Sequence, residues 1–170
     1  MKGEIFVEYW DLLDEDKRAT GRLHLRGEPV PEGFYHQVVD ILTVNPKGEL
    51  LITQRHPDKH YGGKWEFTGG SALAGETSRE AAARELSEET GLRAEPDALR
   101  LLLEHRAGSC FYDEYLYHCP QERPDIALQE GETVDFRWVT WDEFERMMRS
   151  GEIGVPVMER YALLRDRVSF

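Results

Sequence analysis

Apolar and polar positions along the chain change period several times, and each change marks an element. YHQVVDILTV is almost continuously apolar and predicts a buried strand; the turn NPKG and the run ELLITQR complete a hairpin with it. Ahead of it, IFVEYWDLL reads as a strand, DEDKRATG as a turn and RLHLRG as an alternating partner. Residues 1–33 thus predict a smaller hairpin that runs into the Pro- and Gly-containing loop EPVPEG. After the polar loop HPDKHYGGK and the short stretch WEFTGG comes the clearest helix. Thr77 and Glu80 have capping-box spacing, SREAAARELSEET is rich in helix formers, and Gly91 stands where a left-handed glycine ends a helix. LRLLLEHRA, DEYLYHC and VDFRWVT predict further strands, with QERPDIALQEGET as a loop before the last of them. Thr140 and Glu143 repeat the capping spacing before WDEFERMMRSG, and Pro156 suits the first turn of a last helix reaching about Arg167. Strands and helices interleave without strict alternation, which predicts an α/β fold with a mixed sheet flanked by helices.

Charge narrows the partners. Asp and Glu outnumber Lys and Arg by 33 to 21, a formal net charge of −12. Phosphate backbones and anionic bilayers repel such a chain, so neither nucleic acid nor a membrane is an expected partner. A small anionic substrate is compatible with it, because a bound cation inverts the local field. No apolar run approaches the roughly 18 residues of a membrane span, and the start lacks a signal-peptide pattern, so the expected location is the cytoplasm. The length, 170 residues, fits a single domain over 1–170. Two cysteines, Cys110 and Cys119, make neither a disulfide framework nor a zinc pattern and read as free thiols.

The acidity is concentrated on the predicted helix. Glu85, Glu88 and Glu89 fall within an arc of about 100°. Ala82, Ala83 and Leu86 mark the expected buried side next to that arc rather than opposite it. Two of the glutamates lie in the last turn, where the helix dipole favours cations, and Glu85 and Glu89 repel each other at i,i+4. Arg84 is spaced to pair with Glu80 and Glu88 and offsets part of this. A divalent cation removes the rest, and oxygen-only ligands suit Mg²⁺ or Mn²⁺.

From Gly70 to Leu92 the chain reads GSALAGETSREAAARELSEETGL. This resembles the Nudix box, G-x5-E-x7-R-E-U-x-E-E-x-G-U with U apolar, at every specified position. The resemblance implies a Nudix-type αβα sandwich in which residues 70–92 form a loop–helix–loop that binds divalent metal and a diphosphate. It implies metal ligands at Glu85, Glu88 and Glu89, with the Gly70 carbonyl as a further one. Arg84 orients the glutamates, and Glu76 anchors the loop. The implied enzyme is a metal-dependent pyrophosphohydrolase that cleaves the diphosphate linkage of a nucleoside diphosphate derivative or related organic diphosphate. Glu88 is the first choice for general base and Glu114 the second.

EYWDLLDEDKRATGR, GFYHQVV, GGKWEFTGGSALAGE and DEYLY further resemble the branch of the family that contains isopentenyl-diphosphate isomerase. In that pattern His36 matches a metal-binding histidine and Glu114 a later acidic residue. The isomerase's cysteine, however, falls at Gly69 and another of its histidines at Ser71, so the hydrolase reading is preferred. His36 and Arg55 are candidate substrate contacts; Lys64, Glu130 and Glu132 are further candidates, and Trp65, Trp138 and Trp141 read as packing anchors. The competing class is a ligand-binding domain of the same fold without catalysis, which the complete box argues against. The loops HPDKHYGG and QERPDIALQEG are expected to read the group attached to the diphosphate, and the N-terminal hairpin is an expected surface for a homodimer.

Overall fold

The computed structural model describes residues 7–164 and 167–168. Ile5, Phe6, Arg165 and Asp166, parts of the predicted first strand and last helix, lie outside them. β1 (Tyr9–Leu13) and β2 (Ala19–Leu25) pair as the small antiparallel hairpin. β2 begins inside the stretch read as a turn. β3 (His36–Val44) and β4 (Leu50–Arg55) form the predicted buried hairpin. WEFTGG is not featureless: it holds two very short strands, β5 (Trp65–Glu66) and β6 (Thr68–Ser71). α1 (Ser78–Thr90) follows, then a single 3-10 turn at Pro96–Ala98, β7 (Arg100–Ala107) and β8 (Cys110–His118), which starts ahead of DEYLYHC. β9 (Thr133–Val139), α2 (Trp141–Arg149) and α3 (Val155–Leu164) complete the order, and Arg167 stands in a turn beyond α3. Among the described residues no helix is long and apolar enough to cross a membrane.

β3 is the axis of a mixed seven-stranded sheet. It runs parallel to β8 along its whole length, so Asp40 stands opposite Glu114. On its other edge it splits its partners: Thr43 and Val44 pair with β4, whereas Val38–Ile41 pair with β6, with Gly69 opposite Asp40 and Gly70 opposite Val39. β4 then turns away to pair with β9 and β5. The split is what brings Gly69 and the first glycine of the box, Gly70, against the centre of the sheet.

Side chains alternate between two cores, as strand geometry requires. Val39 and Ile41 of β3, with Tyr115 and Tyr117 of β8, pack on Ala81, Ala82 and Leu86 of α1. Leu42, Val44 and Leu116 face the other way, onto Phe144 and Met147 of α2 and Val157, Tyr161 and Leu164 of α3. The expected αβα sandwich is therefore present. Asp40 and Glu114 follow the even-numbered side and sit under α3, on the face away from α1.

Candidate active site

α1 is built to end where it does. The Thr77 hydroxyl accepts from the Glu80 amide at 3.3 Å while the Glu80 carboxylate accepts from the Thr77 amide at 2.8 Å, and Gly91 closes the helix at φ 74°. The loop ahead of α1 is pinned from outside the box. The Ala74 amide donates to the Tyr9 carbonyl at 2.8 Å and the Gly75 amide to Asp11 Oδ2 at 2.7 Å, so β1 holds the loop in place. Leu73 donates to Glu76 Oε2 at 2.8 Å, which makes Glu76 the loop's internal anchor.

Arg84 draws the acids together. It donates to both oxygens of Glu76 at 2.7 and 3.0 Å, to Glu85 Oε1 and Glu88 Oε2 at 2.9 Å each, and to the Ser71 carbonyl at 3.1 Å. It does not pair with Glu80, whose carboxylate is engaged in the helix cap. The burial of α1 also departs from the helical wheel. Glu85 and Glu89 are themselves buried, 9% and 7% exposed, alongside Ala81, Ala82 and Leu86, while Ala83 is half-buried and only Glu88 points outward. Sequence periodicity placed the acids beside the core; two of them are in its margin.

Burying carboxylates has an electrostatic cost. Desolvation raises the pKa of Glu89 well above the usual carboxylate range, and the nearby charges of Glu66 and Glu85 push it the same way. The Gly69 amide, at 3.4 Å, is the donor nearest its carboxylate. Burial raises Glu85 too, against the pull of Arg84. The expected donor set, three carboxylates and the Gly70 carbonyl, is all hard oxygen, the chemistry Mg²⁺ and Mn²⁺ take. As the side chains stand, no three acidic, imidazole or thiol groups among the described residues converge on one point, since Glu85 and Glu88 are turned onto Arg84. Gly70 makes the cradle: a Cβ there would overlap the Glu85 carboxylate.

A cavity of about 270 Å³ opens over these groups. Its walls carry the three glutamates, Gly69, Gly70 and Arg84, with Arg55 at the end of β4 as expected. Arg55 is held by Glu66 Oε1 at 2.7 Å and the His60 carbonyl at 2.9 Å. Lys59 and Gln129, from the two loops expected to read the substrate, also line the cavity, and Lys59 pairs with Glu132 at 2.5 Å. Glu8 and Arg26, an ion pair from the N-terminal hairpin, close a third side. Neither carried a sequence signal. Lys64 instead donates to the Gly151 carbonyl, and Glu130 is not among the residues lining this cavity.

Two predicted residues are placed elsewhere. His36 lines neither this cavity nor its neighbour. It is buried, stacked on Trp10 with ring centroids 3.9 Å apart, and lies 3.6 Å from Cys110 Sγ. Glu114 is fully buried, with Oε1 at 3.1 Å from both His105 Nε2 and Arg160 Nε. Arg160, from α3, also reaches Asp40 Oδ1 at 3.1 Å and so bridges two carboxylates that face each other across β3 and β8. Arg160 and Asp40 line a second cavity of about 220 Å³ that shares Arg55, Gly69 and Gly70 with the first. A larger hollow of 530 Å³ lies against α2 and contains none of the box residues. Gly69 itself has no room for a side chain: a Cβ would stand 2.5 Å from Asp40 Oδ1 and collide with the Val39 carbonyl. A cysteine at this position, the centre of the isomerase pattern, would require the β3–β6 pairing to shift.

Comparison with known proteins agrees with this geometry. The family model for the NUDIX domain matches residues 34–159. A Listeria monocytogenes protein named as an uncharacterized Nudix hydrolase is 38% identical over 148 residues, covering 86% of this chain and 88% of that protein. The isopentenyl-diphosphate Delta-isomerase of Pectobacterium atrosepticum is 32% identical over 154 residues, covering 83% and 82%. Among solved structures, a Deinococcus radiodurans protein superposes with a TM-score of 0.76 at 24% identity, covering 95% of this chain and all of that one.

Proposed function

On the premise that the chain belongs to the Nudix family of hydrolases, which act on phosphoric anhydride bonds, we propose that it is a divalent-metal-dependent pyrophosphohydrolase acting on an organic diphosphate such as a nucleoside diphosphate derivative. The observation that carries this reading is the buried acidic group on α1. Glu85 is held against Gly70 and Glu89 faces the Gly69 amide on the wall of a cavity, and Arg84 bonds to Glu85 and Glu88. Glu85, Glu88, Glu89 and the Gly70 carbonyl would hold Mg²⁺ or Mn²⁺. The bound metal supplies neutralisation of the phosphate oxygens and acidification of a water.

The chain's own groups do the rest. Gly69 and Gly70 let a diphosphate approach the backbone without a Cβ in the way. Arg55 presents a guanidinium to phosphate oxygens at the junction of the two cavities. Glu88, the most solvent-accessible of the three acids, takes the proton of the attacking water. The water oxygen bonds to phosphorus in line as the bridging P–O bond breaks, and the departing phosphate carries that electron pair away. Glu114 receives no part in this step, because its carboxylate is enclosed by Arg160 and His105. The hairpin within residues 1–33 belongs to the same working unit, since Glu8 and Arg26 close the cavity and β1 pins the box loop.

A panel of nucleoside di- and triphosphates, sugar nucleotides and isoprenoid diphosphates, assayed with Mg²⁺ or Mn²⁺ and with chelator, tests the proposal. Release of phosphate or nucleotide is expected only with metal, and Glu89→Gln should lower it by about 100-fold or more. Ligand binding without any metal-dependent product would favour the non-catalytic class and end this reading.

A further inference from the structure

The N-terminal hairpin lies wholly ahead of residue 34, where the family match begins, yet it is tied to the box at two points. We infer that Asp11 and Lys17, one at each point, are positioning residues that set the affinity of the box for divalent metal. The inference rests on the pyrophosphohydrolase reading and extends its machinery to residues outside the box.

The first attachment is at the loop. Asp11 Oδ2 accepts from the Gly75 amide at 2.7 Å, beside the bond from the Ala74 amide to the Tyr9 carbonyl. The next residue is Glu76, whose carboxylate takes two bonds from Arg84, and Arg84 in turn holds Glu85 and Glu88. A displacement of Gly75 is therefore passed to two of the acids through one guanidinium. The second attachment is at the helix. Lys17, in the hairpin turn, donates to Asp113 Oδ1 of β8 at 2.5 Å. Ser78, the first residue of α1, donates through Oγ to Asp113 Oδ2, also at 2.5 Å. Asp113 is 3% exposed, so these two donors take the place of its hydration. Lys17 also pairs with Glu104 at 2.5 Å. Its φ of 64° is left-handed, a conformation that costs a residue with a side chain and persists where the surroundings over-determine it. The two ion pairs of the ammonium supply that determination. Between the attachments the hairpin and the loop enclose a hollow of about 170 Å³ lined by Asp11, Lys17, Leu73 and Glu76. Across it the loop is held by bonds rather than by packing.

The probe is Mn²⁺ itself, with its Kd for the full chain read, without substrate, from the electron paramagnetic resonance signal of the free ion. Asp11→Ala removes the loop attachment. Lys17→Gly removes the ammonium while suiting the left-handed turn. Each should raise the Kd about 10-fold, the lower end of what is lost with a partner that orients metal ligands. Asp11→Asn keeps an acceptor for the Gly75 amide and should bring the Kd back to within about 2-fold of wild type. Arg18→Ala breaks only the exposed pair with Asp16 in the same turn and should leave the Kd unchanged. Thermal melts in chelator establish that each variant is folded. A hairpin that merely stabilises the fold would lower the melts and leave the Kd alone. That result in folded Asp11→Ala and Lys17→Gly would overturn the inference and leave the hydrolase reading standing, as would an Arg18→Ala Kd raised as far as theirs. A wild type that neither binds Mn²⁺ nor turns over any diphosphate removes that reading itself.

Discussion

His36 matches a functional pattern in the sequence and is packed into the fold against an aromatic ring. It opens β3, as the sequence indicates, and its ring lies against Trp10 and Cys110, outside the walls of the two cavities at the glycine pair. Burial lowers its pKa from 6.5 to about 4, with the charge of His24 acting the same way and the Ser109 carbonyl opposing. The folded value lies below the unfolded one. The stability tied to neutral His36 is therefore complete above about pH 6.5 and lost as pH falls toward 4. Between pH 7.5 and 5.5 the loss should be about 1 kcal/mol. Denaturant melts of the wild type and His36→Gln at the two pH values check this: the difference between them should narrow at pH 5.5. An unchanged difference would mean the imidazole is not held neutral. The box residues were legible because their spacing is local. Asp40, Glu66 and Arg160 were not, because nothing in a linear pattern marks a charge that burial will pair across three elements.

α1 was readable to the residue, cap to cap, because each end is fixed by residues within one turn of it, the Thr77–Glu80 pair at the start and left-handed Gly91 at the finish. β5 and β6 were not, since two and four residues are too few to show a period. Their existence depends on the splitting of β3's edge, a tertiary event. The same contrast separates the site's two halves: the helix that presents the acids was foreseen, and the hairpin that closes the cavity was foreseen only as a hairpin. Thr77→Ala removes the hydroxyl from the helix cap and should destabilise the protein by about 1 kcal/mol. The acids stand well beyond the first turn, so turnover at saturating Mn²⁺ should stay within about 2-fold of wild type when the melt is shifted. A large activity loss would show that the cap positions the acids as well as stabilising the helix.

At the scale of the molecule, the sheet carries two cores with opposed charge behaviour: α1 brings acids to one, and Arg160 of α3 neutralises acids in the other. A ligand that binds only the folded chain raises its melting point. Mn²⁺ at about 100 times its Kd should add about 2.7 kcal/mol, several degrees in a thermal melt, and Glu89→Gln should abolish most of the gain. A wild-type melt indifferent to Mn²⁺ and Mg²⁺ would contradict the metal assignment. The bonds of Arg84 to Glu76, Glu85 and Glu88 have a bearing on how the protein matures. The arginine is a resident counter-ion among acids that would otherwise repel one another across the loop and helix. A newly made chain can therefore complete its fold before any divalent ion arrives. Chelator should return the melt to its metal-free value without unfolding the protein at room temperature, so that assembly and activation are separate events in the protein's lifetime.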